Sequence, residues 1–223
     1  MSLPAPSDDP AADVSRETAA RALFGAGYAA ARTYAEILTT NGIERGLVGP
    51  REAGRIWERH LLNSAVLAPG LPAGSRVVDL GSGAGLPGLP IALARPDLEM
   101  VLLEPLLRRT RFLDEVVERL DLGGRVSVYR GRAEEGHRAL RPADVVVSRA
   151  VAPMERLVPW SLGLLRPGGQ MLALKGDRAE GELQAVADRL PGWGAASAAV
   201  ELLDSELLPG PVRVVRVVRA MES

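Results

Sequence analysis

Gly81, Gly83 and Gly85 stand at alternate positions directly after the apolar run Val77-Val78-Asp79-Leu80, and they lead into Leu86-Pro87-Gly88-Leu89-Pro90-Ile91-Ala92-Leu93-Ala94. No other stretch restricts the fold as much. The apolar run reads as a buried strand, the glycines as a tight turn and the rest as a helix. Glycine takes positive φ without penalty and lets a ligand approach the backbone. A first helical turn offers unpaired N–H groups, and Pro87 and Pro90 suit a helix start, where a missing N–H costs nothing. The stretch predicts a strand–loop–helix unit that holds a nucleotide-type ligand.

The rest of the chain extends this unit. Strands are expected at Arg76–Leu80, Met100–Glu104, Val126–Tyr129, Asp144–Ser148 and Gly168–Lys175. Helices are expected up to Ala94, over Leu106–Leu120 and Met154–Leu164, and from Arg178 to Leu190. Such alternation implies a parallel, doubly wound sheet with right-handed crossovers. Two further strand-like runs, Ala198–Leu203 and Val212–Val218, are joined by Leu208-Pro209-Gly210-Pro211, too closely for a crossover helix. They should pair as an antiparallel hairpin, completing a mostly parallel seven-stranded sheet. Ahead of the sheet, a helical pattern begins at Ser15 and ends at Asn41-Gly42, and a second helix is expected from Pro50 to about Val66. The expected organisation is a disordered tail over 1–13, an N-terminal helical cap over 14–68 and a ligand-binding domain over 75–223.

Composition limits the function classes. With 47% hydrophobic and 25% charged residues the chain reads as a soluble globular protein, and no apolar run reaches membrane-spanning length. The start is acidic and Pro/Ala-rich, unlike a signal peptide, so a cytoplasmic location is expected. The absence of cysteine removes disulfides, thiolate metal sites and any cysteine nucleophile. Two histidines far apart, His60 and His137, make a metal site improbable. A net charge of −1 announces no nucleic-acid partner. Of the 27 basic residues only Lys175 is lysine, a bias that a GC-rich genome explains.

Gly83-Ala84-Gly85-Leu86-Pro87-Gly88 matches the dinucleotide fingerprint, a weak signal alone. Asp79 converts it to Asp-x-Gly-x-Gly-x-Gly, the pattern of S-adenosylmethionine-dependent methyltransferases with a Rossmann-like sheet, and the terminal hairpin agrees with that class. A pyrophosphate needs the helix dipole, and Asp79 would be awkward beside it; a sulfonium tolerates carboxylates. Asp79 can alternatively pin the loop by bonding its amides. Glu104 ends the second strand, where a carboxylate accepts hydrogen bonds from ribose hydroxyls in either cofactor class. Gly131-Arg132-Ala133-Glu134-Glu135 should meet the adenine, and Ser148-Arg149-Ala150-Val151 should lie beside the transferring group.

His60-Leu61-Leu62-Asn63-Ser64, Asp79 to Pro90, Ser148-Arg149-Ala150 and Ala173-Leu174-Lys175-Gly176 together resemble the bacterial ribosomal RNA small-subunit methyltransferase G family, also known as glucose-inhibited division protein B. The likeness covers roughly residues 20 to 219. It implies methylation of the N7 of one guanine in the decoding region of 16S rRNA; the expected partner is that rRNA within the small ribosomal subunit or its precursor, and a monomer is expected. It also implies cofactor contacts from Gly81, Leu86, Ala133, Glu134 and Arg149, beside the Asp79, Gly83, Gly85 and Glu104 read from the motif. Family members usually carry Asn-Leu-Thr before the second helix, where this chain has Arg45-Gly46-Leu47-Val48-Gly49-Pro50.

The chemistry is compatible. Carbon-5 methylation of a pyrimidine needs a thiolate, which the chain lacks. Exocyclic amines usually need an Asn/Asp-Pro-Pro-aromatic turn after the fourth strand, where Ser148-Arg149-Ala150-Val151 stands. Guanine N7 has an in-plane lone pair and needs positioning alone. Arg149 and Lys175 border the expected acceptor site. Arg149 suits a guanine edge or serves as a strand-end ion-pair residue, and Lys175 meets phosphate or is an ordinary exposed lysine. Arg51, Arg55 and Arg59, four residues apart, form either an RNA track or a solvated face, with His60 beside them as RNA contact or structural histidine. Arg108 and Arg109 form a second basic patch. Trp57, Trp160 and Trp193 read as core or hinge residues, and His137 as solvated. Rival readings are a small-molecule methyltransferase, an NAD-dependent oxidoreductase and a non-catalytic RNA-binding protein.

Overall fold

Seven runs of aliphatic and β-branched residues form one sheet in the computed structural model, which describes residues 10–203, 208 and 210–221, with side chains from Ser15 onward. The strands are β1 Arg76–Leu80, β2 Glu99–Glu104, β3 Val126–Arg130, β4 Ala143–Arg149, β5 Leu165–Lys175, β6 Ala195–Leu203 and β7 Val212–Arg219, in the spatial order β3-β2-β1-β4-β5-β7-β6. The first five pair in parallel, and β7 runs antiparallel between β5 and β6. The expected hairpin is therefore present; residues 204–207 and 209 of its connection lie outside the described residues. The order reverses between β1 and β4, so the carboxyl ends of these strands open a crevice, the usual ligand position in such sheets.

Both faces of the sheet are covered, which is why its strands read as nearly continuous apolar runs. In β7 the valines divide between the two sides: Val212 and Val214 join one core, Val215 and Val217 the other. The arginines between them end on acids, Arg213 on Asp177 at 2.8 Å and Arg216 on Glu201 at 2.7 Å. The connecting helices, numbered along the whole chain, are α1 Pro10–Phe24, α2 Tyr28–Ile37, α3 Asn63–Ala65, α4 Gly88–Ala94, α5 Leu107–Arg119, α6 Ala133–Ala139, α7 Met154–Leu164 and α8 Ala179–Gln184. One face carries α6, α7 and α8 over Val78, Val101, Val146 and Met171. The other carries the amino-terminal segment together with α4 and α5. Tyr34, Leu38, Ile56 and Leu61 of that segment share a single buried cluster with Leu89, Met100, Leu102 and Leu172.

Several expected elements differ. The first helix starts at Pro10 rather than Ser15, and residues 1–9 of the expected tail lie outside the described residues. It is interrupted by a 3-10 turn at Gly25–Gly27, where the chain passes so close to α4 that a Cβ on Gly27 would collide with the Leu93 carbonyl oxygen. The second helix is not a regular α-helix. A 3-10 segment, Pro50–Arg55, breaks at Arg55 (φ −123°, ψ 11°) and continues as a π-helical stretch, Ile56–Leu62. The four-residue spacing of Arg51, Arg55 and Arg59 therefore does not produce one aligned stripe. The helix expected to run to Leu190 ends at Gln184, and Ala187–Arg189 forms only a 3-10 turn, Val186 (φ −117°, ψ 2°) having left the helical region. Helix α6 was not anticipated.

Candidate active site at the carboxyl edge of the sheet

A cavity of about 470 Å³ lies in the crevice. Leu80 and Gly81 bound it from β1, Leu103 to Leu106 from β2, and Arg109 from α5. Gly131 to Glu134 follow β3, Ala150 to Pro153 follow β4, and Arg156 and Trp160 reach in from α7. A smaller cavity of about 290 Å³ shares Pro105, Gly131 and Arg132 with it and adds Arg130 and Glu135.

Gly81 has φ +72°, and a Cβ there would meet Val151 Cγ2 at 2.8 Å, so the loop after β4 lies directly on the loop after β1. Gly83 and Gly85 also have positive φ. The expected row of free amides is absent, which corrects the sequence reading. Gly81 and Ser82 donate to the Leu103 carbonyl, Gly85 and Leu86 to Ser82, and Leu89 to Gly85. Gly83 N donates to Glu104 Oε2 at 3.0 Å, and Gly88 N to Asp79 Oδ2 at 3.0 Å. A pyrophosphate would need these donors, and a carboxylate already occupies the central one.

Glu104 is 1% exposed yet lines the cavity. Its Oε1 accepts from Leu106 N at 3.0 Å, and Arg109 Nη1 lies 3.6 Å from Oε2. Each oxygen retains a lone pair beyond its backbone donor. Arg109, expected on an RNA patch, is thus part of the cavity. Arg108 beside it is exposed.

Asp79 is fully buried and does not line the cavity. Burial lifts its pKa from 3.8 to about 7, and Oδ1 has no hydrogen-bond partner. Its contact with Gly88 is the loop-pinning alternative of the sequence reading. Tyr34 stands beside it, donating its hydroxyl to the Ala84 carbonyl at 2.7 Å, and burial pushes this phenol well above its usual range. Gly83, Gly85 and Leu86 do not line the cavity. Ala133 and Glu134 line it, and Glu134 Oε1 accepts from Trp160 Nε1 at 2.8 Å. The Glu134 carboxyl is lowered first by its own backbone amide and then by Trp160.

Arg149 points to the cap side of the same edge. Its Nη1 is buried without a partner, and burial followed by the charge of Arg59 lowers its pKa. His60 Nε2 contacts Glu52 Oε2 at 2.9 Å, and Arg59 Nη1 donates to Glu52 Oε1 at 3.1 Å. The His60 pKa is lowered first by burial and then by the charge of Arg149, against the raising contact with Glu52. Arg51 and Arg55 are exposed and meet no carboxylate among the described residues. Lys175 is neither exposed nor free: its side chain is 11% exposed, and Nζ donates to Ala152 O at 3.1 Å and Glu182 Oε2 at 2.7 Å.

Sequence reasoning missed Trp160 and Arg156 as cavity residues. The first turn of α7 follows β4, so its proximity to the edge was legible; Trp160 lies six residues farther along. His137 is not solvated: it is half-buried in α6, against the Trp160 carbonyl at 2.8 Å. Trp57 packs edge-on against Phe24 with ring centroids 6.3 Å apart, and Trp193 stacks under Arg189. Among the described residues no group of His, Asp and Glu could hold a metal ion.

Comparison with known proteins adds a sequence match to this geometry. A family model described as rRNA small subunit methyltransferase G matches residues 28–205. A ribosomal RNA small subunit methyltransferase G of Thermobifida fusca is 60% identical over 166 residues, which cover 74% of this chain and 69% of the relative. One of Mycolicibacterium paratuberculosis is 53% identical over 205 residues, 90% of this chain and 81% of the relative. Among solved structures, a SAM-dependent O-methyltransferase from Thermotoga maritima matches with a TM-score of 0.54 at 15% identity, covering 72% of this chain and 66% of that one. That last likeness is one of fold alone.

Proposed function

This chain belongs to the rRNA small subunit methyltransferase G family, and from that premise we propose that it transfers the methyl group of S-adenosylmethionine to the N7 of one guanine in the decoding region of 16S rRNA. The observation that carries the cofactor assignment is the glycine loop whose amides are already consumed, with Glu104 holding Gly83 N and still facing the cavity. When bound, the cofactor supplies an electrophilic methyl group on a sulfonium. Glu104 accepts the ribose hydroxyls, while Gly81, Ala133 and Glu134 border the adenosine. Asp79, Gly83, Gly85 and Leu86 shape the loop from behind.

Guanine N7 carries its lone pair in the ring plane and has no proton to lose, so the site needs no general base. Its contribution is orientation and exclusion of water. Arg149, whose Nη1 is buried without a partner, donates to the O6 of the target guanine, leaving N7 open. His60, oriented by Glu52, stands on the cap side of that base. The RNA backbone runs over the arginines whose guanidinium groups make no ion pair among the described residues: Arg51 and Arg55 on one side of the edge, Arg108, Arg130 and Arg132 on the other. Guanidinium groups not already paired are those that phosphates can recruit without first breaking an ion pair. The partner is 16S rRNA within the small ribosomal subunit or its precursor, met in the cytoplasm by a monomer. No helix among the described residues is long and apolar enough to cross a membrane.

The test is mass spectrometry of 16S rRNA from small subunits incubated with the protein and labelled S-adenosylmethionine. Label on one N7-methylguanine supports the reading. Label on free nucleosides but not on subunits would replace it with small-molecule methylation.

A further inference from the structure

We propose that Lys175 and Glu182 form a strut that sets the position of the cavity wall Ala150–Pro153, making Lys175 a positioning residue for the cofactor rather than a phosphate contact. The inference rests on the reading of the cavity as the cofactor site. Lys175 ends β5, and its ammonium is committed on two sides, to the Ala152 carbonyl at 3.1 Å and to Glu182 of α8 at 2.7 Å. Ala152 sits in the wall itself. Two residues earlier, Ala150 has φ +53°, a conformation that a residue with a Cβ keeps only when its surroundings hold it. Between them, Val151 presses on Gly81, the first glycine of the loop after β1.

A chain of contacts therefore runs from α8 to the glycine loop: Glu182, Lys175, the Ala152 carbonyl, Val151, Gly81. Glu182 does not line the cavity, so it acts only through the lysine. Helix α8 is itself held to the sheet, since Arg213 of β7 reaches Asp177 at 2.8 Å and Glu180 at 3.4 Å, while Ala179 is buried. An RNA phosphate would meet an ammonium that is largely buried, already paired with a carboxylate and left with a single uncommitted N–H. The lysine's compact, three-donor head suits a carbonyl and a carboxylate approaching from different directions, which a planar guanidinium does not.

The experiment is calorimetry of the full-length protein with S-adenosylhomocysteine, together with amide hydrogen exchange at Ala150, Val151 and Ala152. Lys175→Met should weaken binding about tenfold, and Glu182→Gln about threefold. The double variant should bind no more weakly than Lys175→Met, because the two residues act as one unit. Exchange at the three amides should quicken in each variant. Additive losses, or unchanged affinity and exchange with rRNA methylation lost only in Lys175→Met, would overturn the strut and give the lysine to the RNA. If Lys175→Met does not fold, Glu182→Gln decides alone, and unchanged exchange refutes the proposal. Should the unaltered protein fail to bind S-adenosylhomocysteine, the functional reading falls, while the exchange measurement still judges the strut.

Discussion

At the amino-terminal edge of the sheet, Arg76 and Arg141 share Glu99, Arg166 pairs with Asp144 at 2.6 Å and Arg95 with Asp97 at 2.7 Å. The Arg95 guanidinium and then the Gly74 amide hold the Asp97 carboxyl well below the usual range. At the carboxyl edge, the guanidinium groups of Arg108, Arg130 and Arg132 make no ion pair among the described residues, and Arg149 keeps a buried nitrogen unpartnered. The residue type is the same at both edges, and its uses are opposite. One edge spends its charges on itself and closes the fold. The other leaves cations and cavity available to something outside the chain. A protein of net charge −1 can thus present a cationic rim, because many of its acids are engaged elsewhere.

The largest expected break in this contrast is Gly83→Asp. It places a side chain at φ +59° and a second carboxylate beside Glu104, and calorimetry should detect no S-adenosylhomocysteine binding. Next comes Glu104→Gln, which keeps the shape but removes the charge that holds two amides. Affinity should fall by about 1.5–3 kcal/mol, and an unchanged value would remove the ribose role.

Asp79→Asn tests the burial beneath the loop. A carboxyl whose folded pKa is raised stabilises the fold fully below its unfolded value, here 3.8, and loses that contribution as pH rises through about 7. Thermal melts should therefore show the unaltered protein losing stability relative to the asparagine variant across that window. A parallel pH response in the two proteins would mean that Asp79 stays ionised.

Arg108→Ala combined with Arg130→Ala, neither of which lines the larger cavity, should leave cofactor affinity unchanged but lower the salt dependence of subunit binding by about 0.7–0.9 log units per arginine. The smallest effect belongs to the closed edge. Glu99→Gln should cost about 1 kcal/mol or less in denaturant melts, with methylation unaffected, because its carboxylate is nearly half exposed. If it reduced methylation as much as the rim arginines do, the distinction between the edges would collapse.

Much of this was legible beforehand because strands buried on both faces leave a plain apolar signature. The run Val77 to Leu80 and the valines of β7 name their own structure, and Glu104 declares itself by ending β2. The cap was less legible. Pro50 to Leu62 has helical composition, yet Arg55 leaves the helical region, and no local pattern announces a π-helical stretch. Pairing was illegible for a different reason. Lys175 and Glu182 are seven residues apart across a strand end, and Trp160 meets Glu134 from another helix, so these partners exist only once the sheet has assembled. The glycine motif identified the loop correctly but not the state of its amides, which depends on where the Glu104 side chain turns.

The hydroxyl of Tyr34, bonded to the Ala84 carbonyl, joins the amino-terminal helices directly to the glycine loop. Those helices share one buried cluster with the loop and α4, so a displacement of one would be felt by the other. Exchanging them for the corresponding segment of a distant relative should therefore disturb cofactor retention before it alters target choice. An engineer seeking a new RNA target on this scaffold would do better to redraw the outer arginines and leave the tyrosine in place.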